Sequence, residues 1–172
     1  YLMESNLELA RHYLESALKY DAENIRALQL LATTHRRAAR PAEAAGTLRK
    51  ILDIDPLNHT ARFEQYLLDP TPANRAAFTP MIRNELPHET YLEIAVDYSN
   101  LKLPADALKV LELAPEQAEI RYWQAYLQRD KPASAQILKQ ASALSPYLVF
   151  PFREESVPVF QWAAQTNPND WK

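Results

Sequence analysis

The sequence predicts an all-α fold, an α–α superhelix built as a solenoid of antiparallel helix hairpins. Three observations predict it. Thirteen prolines accompany a single glycine, Gly46, in 172 residues. Eight of those prolines form two interleaved series with a step near 30 residues: Pro41, Pro72, Pro104 and Pro132 advance by 31, 32 and 28, and Pro56, Pro87, Pro115 and Pro146 by 31, 28 and 31. The stretches between them are rich in Ala, Leu, Glu, Gln, Lys and Arg and lack sustained strand-type alternation. Proline has no N–H and a φ close to helical, so it starts one helix cheaply while stopping the one before it. A two-helix unit of this length cannot bury its apolar face alone and must stack on its neighbours.

In order, the expected helices cover residues 2–20, 25–39, 41–54, 59–69, 72–86, 88–101, 104–113, 116–129, 132–144 and 155–166. The first carries Ala10, Leu14 and Ala17 on one stripe and reads as the second helix of a unit whose first helix is missing. The next two form the best-patterned unit, with Leu28, Leu31 and Ala32 facing Ala44, Leu48 and Ile51. Small residues beside large ones are what a close helix crossing requires. The fourth and fifth form the weakest unit, since Arg62 and Gln65 stand where apolar residues are expected. In the sixth, Tyr91, Ile94, Ala95, Tyr98 and Leu101 recur at three and four, and the seventh adds Ala107 and Leu111. The eighth and ninth carry Trp123, Ala125, Leu138 and Ala141, and the last follows the adjacent acidic pair Glu154-Glu155, which suits a helix N-terminus. The domain expectation is one helical-repeat domain over 1–172: a half repeat at 2–24, repeats at 25–56, 57–87, 88–115 and 116–146, and a divergent tail at 147–172.

Composition excludes several classes of function. One glycine cannot build a phosphate-cradling loop, a dinucleotide fingerprint or a nucleophile elbow. Without cysteine there is no disulfide, thiolate zinc site, iron–sulfur cluster or thiol nucleophile. The apolar run Tyr147 to Phe152 is far shorter than the roughly 20 residues that span a bilayer, so no membrane insertion is expected. A net charge of −3 argues against nucleic acid as the main partner. The histidines at 12, 35, 59 and 88 are never four apart on one helix, and Leu92 stands where a second ligand after His88-Glu89 is needed, so neither a metal nor any cofactor is expected. Glu112, Glu116 and Glu119 read as a solvated helix face, and Ser99, Ser142 and Ser145 lack an identifiable base. No catalytic residue is assigned and the chain is read as a non-enzyme.

Over residues 25–56, the positions Leu28, Leu31, Ala32, His35, Ala44, Leu48, Ile51 and Pro56 resemble the tetratricopeptide pattern of W, L, G, Y, A, F, A and P at the same spacing. The resemblance extends in degraded form over nearly the whole chain. It implies a non-catalytic scaffold whose first helices line a concave groove and bind an extended or helical protein or peptide segment. Carried over residue by residue, the groove-lining positions are Arg26, Gln29, Thr33, Arg36 and Arg37, then Phe63 and Glu64, then Glu89, Leu92, Glu93 and Val96. Gln29 and Thr33 stand where one subgroup of the family uses lysine and asparagine to clamp a terminal carboxylate, and this exchange removes the charge.

The basic run His35-Arg36-Arg37-Ala38-Ala39-Arg40 ends a helix, where cations compensate the dipole; its functional reading is a groove border that pairs with an acidic peptide. The tail, with Phe150-Pro151-Phe152-Arg153, Trp162-Ala163 and Asn167-Pro168-Asn169-Asp170-Trp171-Lys172, looks like a recurring stretch of large bacterial proteins that carry such repeats behind a β-rich domain of carbohydrate-enzyme character. The chain is therefore expected to be part of something longer, and a second expectation is a helical extension packed against another, enzymatic domain of the same polypeptide.

Overall fold

The structure, a computed structural model of the chain, describes residues 6–147 and 149–170. Positions 2–5 of the first expected helix and Trp171-Lys172 of the tail lie outside the described residues. The fold is an all-α helical-repeat fold with ten α-helices and no strand among the described residues. The chain divides into two compact units, one ending at Arg83 and one beginning at Asn84.

The first unit contains α1 (Leu7–Leu18), α2 (Ile25–Arg37), α3 (Pro41–Ile54), α4 (His59–Leu68) and α5 (Pro72–Phe78), followed by a 3-10 turn at Thr79–Met81. Asparagine starts three of these helices. Asn6, Asn24 and Asn58 each accept a hydrogen bond from the backbone N–H three residues on, at 3.1, 2.9 and 2.9 Å. Two of those caps belong to one repeated device. Asp21 and Asp55 accept from the amides of Glu23 and Leu57 and from the side-chain amides of Asn24 and Asn58, so the same turn sets the entry into α2 and α4. Pro41 and Pro72 occupy the first helical positions of α3 and α5, as the proline spacing predicts. Leu28, Ala32, Leu48, Ile51 and Ala61 form one buried cluster, and Leu18, Ile25, Leu52 and Leu68 pack on its margin.

One expected helix is cut short. The sequence predicts helix to residue 86, but α5 ends at Phe78. Pro80 supplies no N–H and its ring crowds the carbonyl four residues back, so the chain tightens into a 3-10 turn instead of continuing.

The second unit contains α6 (Pro87–Asn100), α7 (Pro104–Leu111), α8 (Ala118–Leu127), α9 (Ala133–Ala143), a 3-10 turn at Glu154–Ser156 and α10 (Val157–Thr166). Helices α6 and α7 pair, as do α8 and α9, and α10 packs on α8. Its core includes Tyr91, Ile94, Ala95, Tyr98, Val110, Leu111, Tyr122, Trp123, Leu138 and Ala141.

The α2–α3 and α6–α7 hairpins share a backbone device. Ala39 and Lys102 adopt φ of 54° and 59°, just after α2 and α6. In each, the next amide bonds back five residues, Arg40 to His35 and Leu103 to Tyr98 at 2.9 Å, closing the helix with a left-handed residue. Glycine takes this conformation without the Cβ penalty that alanine meets. Ala39→Gly is expected to stabilise the protein by about 0.5–1 kcal/mol, read as a higher denaturant midpoint at unchanged slope; a lower midpoint would mean that Ala39 makes contacts outweighing its strain.

Candidate docking site

Residues Arg26, Gln29, Thr33, Arg36 and Arg37 recur along one side of α2, because three- and four-residue steps return to the same face. Arg26 is exposed, Gln29, Arg36 and Arg37 are half-buried, and Thr33 is buried. The stripe is joined to α4. Arg36 Nε lies 2.7 Å from Glu64 Oε2 and its Nη2 lies 3.2 Å from Oε1, a two-pronged ion pair. Thr33 Oγ1 lies 2.7 Å from Oε1 and 3.1 Å from the Gln29 carbonyl. Glu64 is 1% exposed. The amide of Gln29 donates to Asn58 Oδ1 at 3.1 Å, tying the stripe to the cap of α4 as well.

The sequence reading offered Arg36 to an acidic partner. In the structure its guanidinium binds a carboxylate of the same chain, 28 residues away. Phe63, also placed on the groove, lies fully buried against Phe78 with ring centroids 5.4 Å apart. Arg62, which occupies an apolar position of the repeat, reaches the Pro56 and Ala77 carbonyls at 2.6 and 3.2 Å. Its polar head thus closes backbone groups that an apolar residue would leave open.

At the end of α2, Arg40 pairs with Glu8 at 2.7 Å, tying the α2–α3 turn to α1. His35 is buried in the tyrosine-type position; burial pushes its imidazole below the ordinary value, and its Nδ1 has no hydrogen-bond partner.

In the second unit, α6 presents Glu93 to solvent and buries Leu92 and Val96 among the core residues. Glu89 is half-buried and forms an ion pair with Arg153, which stands 64 residues further on. Sequence reasoning gave no sign of this pair.

Nor did it find the buried cluster on α8. Glu119, read as part of a solvated face, is 1% exposed. Ser156 Oγ donates to Glu119 Oε1 at 3.1 Å and accepts from Trp123 Nε1 at 3.2 Å, while Glu119 Oε2 has no hydrogen-bond partner. Isolation from water raises the Glu119 carboxyl above its ordinary value, and the Ser156 bond partly opposes this. The sign of the resulting pH dependence is fixed. A carboxyl raised on folding contributes stability that is full below its unfolded value near 4.5 and is lost as pH rises through the folded value. Glu119→Gln is expected to flatten the fall in melting temperature above pH 4.5; parallel curves for the two proteins would sink this assignment.

Tyr13 is exposed, and His88, near the start of α6, is buried. Tyr91, Tyr98, Tyr122 and Trp123 are buried. Among the described residues no group of three or more His, Cys, Asp or Glu side chains could hold a metal ion, and no helix is long and apolar enough to cross a membrane.

Comparison with known proteins gives one family match. The tetratricopeptide repeat family model matches residues 1–63. No curated protein sequence matches. Among solved structures, one titled "Crystal structure of MamA" is similar at 16% identity, covering 96% of this chain and 91% of that one with a TM-score of 0.42. A second, titled "Crystal structure of MamA protein", is similar at 14% identity, covering 96% and 85% with a TM-score of 0.40. The match over residues 1–63 takes in α1 to α3 and the start of α4, so the similarity to the tetratricopeptide repeat covers Thr33 and Arg36 and ends one residue before Glu64.

Proposed function

We propose that the chain is a non-catalytic docking scaffold and that the α2 face of its first unit receives an extended or helical segment of a partner protein. Tetratricopeptide repeats mediate protein–protein interaction, and the family match over residues 1–63 is the observation that carries the reading. The chemistry of the face narrows it. Thr33, Arg36 and Glu64 bind one another and stiffen the surface, while Arg26, Gln29 and Arg37 stand at its more accessible positions. Two arginines on one stripe suit a segment bearing carboxylates, because the planar guanidinium offers paired donors.

The test is site-resolved crosslinking in source cells. A photoreactive residue at Arg26 is expected to capture a partner that the same residue at Lys50, exposed on α3, does not. Arg26→Glu with Arg37→Glu is expected to weaken that capture by about tenfold or more with far-ultraviolet circular dichroism unchanged. Equal labelling from both positions, or capture indifferent to charge reversal, would overturn the reading.

A second reading rests on a different observation. Tyr147, Phe150 and Phe152 are exposed large apolar residues within six positions of the tail, which suits a helical extension packed against an enzymatic domain of the same polypeptide. Crosslinks from Phe150 that stay within one longer chain would favour it.

A further inference from the structure

We propose that the second unit contains a binding site for a small apolar monocarboxylate, its hydrocarbon body held in a cavity beside α8 and α10 and its carboxylate held by Arg153. This goes beyond the docking reading and concerns a different unit. The cavity has a volume of about 440 Å³, within the range of small-molecule sites. Tyr122, Pro146, Val149, Pro151, Val157 and Phe160 supply most of its lining, which is predominantly apolar. The sequence builds it from two prolines and an aromatic pair. Pro146 follows α9 and Pro151 holds the connecting segment extended, while Tyr122 and Phe160 meet with ring centroids 5.2 Å apart where α10 packs on α8. The Tyr122 hydroxyl is bound to Asp170, so its ring is fixed and its polar end is already satisfied.

The polar groups of the lining decide the ligand. Ser156 is fully used, donating to Glu119 and accepting from Trp123. Gln161 is an exposed amide at the mouth. Arg153 differs from both. Its Nη1 donates to Glu89 and the Phe152 ring covers its guanidinium face, 4.3 Å from Cζ to the centroid. A guanidinium has five N–H donors, and those beyond the Glu89 bond meet no acceptor among the described residues. The side chain is 16% exposed, and these donors face solvent at the cavity. Glu89 and Phe152 hold the fork in place from one edge and one face, and an incoming carboxylate can take the remaining edge with paired bonds. A cationic head would face the guanidinium itself, and a purely apolar ligand would leave its donors unsatisfied.

The probe is octanoate below its micellar concentration, titrated into the full chain by calorimetry beside octan-1-ol and octylamine. Octanoate is expected to saturate at one site, with the alcohol and the amine weaker by about tenfold or more. Val157→Trp, which places bulk into the cavity from an exposed position, is expected to abolish binding without changing helicity. Arg153→Met is expected to weaken octanoate to the level of the alcohol, whereas Glu154→Gln, which removes an exposed charge outside the cavity lining, is expected to leave octanoate binding intact. Absence of saturable octanoate binding, equal affinity for octan-1-ol, survival of binding in Val157→Trp, or undiminished octanoate affinity in Arg153→Met would each overturn the proposal.

Discussion

Removing Arg36 is expected to be among the most damaging single changes in the first unit. Arg36→Met takes away the cation beside Glu64, whose carboxylate is 1% exposed and cannot turn to water. Breaking a buried pair by deleting one partner costs about 3–5 kcal/mol, because the surviving charge loses its ion-pair partner. Glu64→Ala is expected to cost less, toward the lower end of that range, since the Arg36 side chain is 15% exposed and its long stem lets the head move outward. The double variant Arg36→Met with Glu64→Leu removes both charges and is expected to recover most of the loss, as apolar replacements of buried pairs often do. Denaturant midpoints for the four proteins form a double-mutant cycle. Single variants within about 0.5 kcal/mol of the parent would mean that water reaches the pair and that it does little to join α2 to α4.

This prediction bears on function because the same residues were assigned to partner recognition. A charge reversal that includes Arg36 would unsettle the scaffold and lower binding for a reason unrelated to contact. Reversing Arg26 and Arg37 while Arg36 is kept leaves the two-pronged Arg36–Glu64 pair in place.

The helices were legible because their signals are local. Proline at a first helical position acts through its own ring and missing N–H, so Pro41, Pro72, Pro87 and Pro104 mark the starts of α3, α5, α6 and α7. Pro80 belongs to neither periodic series, and reading only the periodic ones extended α5 too far. The core of the first unit was legible for a similar reason, since Leu28, Leu31, Ala32, Ala44, Leu48 and Ile51 keep helical spacing and are all buried. The site was legible only in outline. Helical periodicity places Thr33 and Arg36 on one stripe, but whether that stripe faces solvent depends on Glu64, supplied from α4. The same limit hid Glu89 with Arg153 and Glu119 with Ser156, whose partners stand 64 and 37 residues apart. One signal was available and unused. Asp-x-x-Asn occurs at 21–24 and again at 55–58, and it marks the turn that caps α2 and α4 and supplies the Asn58 oxygen bound by Gln29.

The other large effect is expected at Ala32. It lies in the buried cluster with Leu28, Leu48, Ile51 and Ala61 at 0% exposure, in the hairpin formed by α2 and α3. A small residue there lets the leucine and isoleucine side chains close over the crossing at the density of a protein interior. Ala32→Trp has to push the helices apart or force neighbouring side chains off their rotamers, at a cost of roughly 1–3 kcal/mol or more. Ala32→Gly separates this from any other role of the position. It removes one methyl and adds backbone freedom, for about 1 kcal/mol, without overfilling the site. The tryptophan variant is therefore expected to melt well below the glycine variant, with the loss confined to the first unit in hydrogen exchange. Ala42, exposed near the start of α3, provides the control: the same substitution there adds the same bulk to solvent and is expected to change stability by no more than about 0.5 kcal/mol. If Ala32→Trp and Ala42→Trp melt together, the crossing does not depend on a small residue, and the packing argument that joins the repeat pattern to this fold fails at its best-conditioned position.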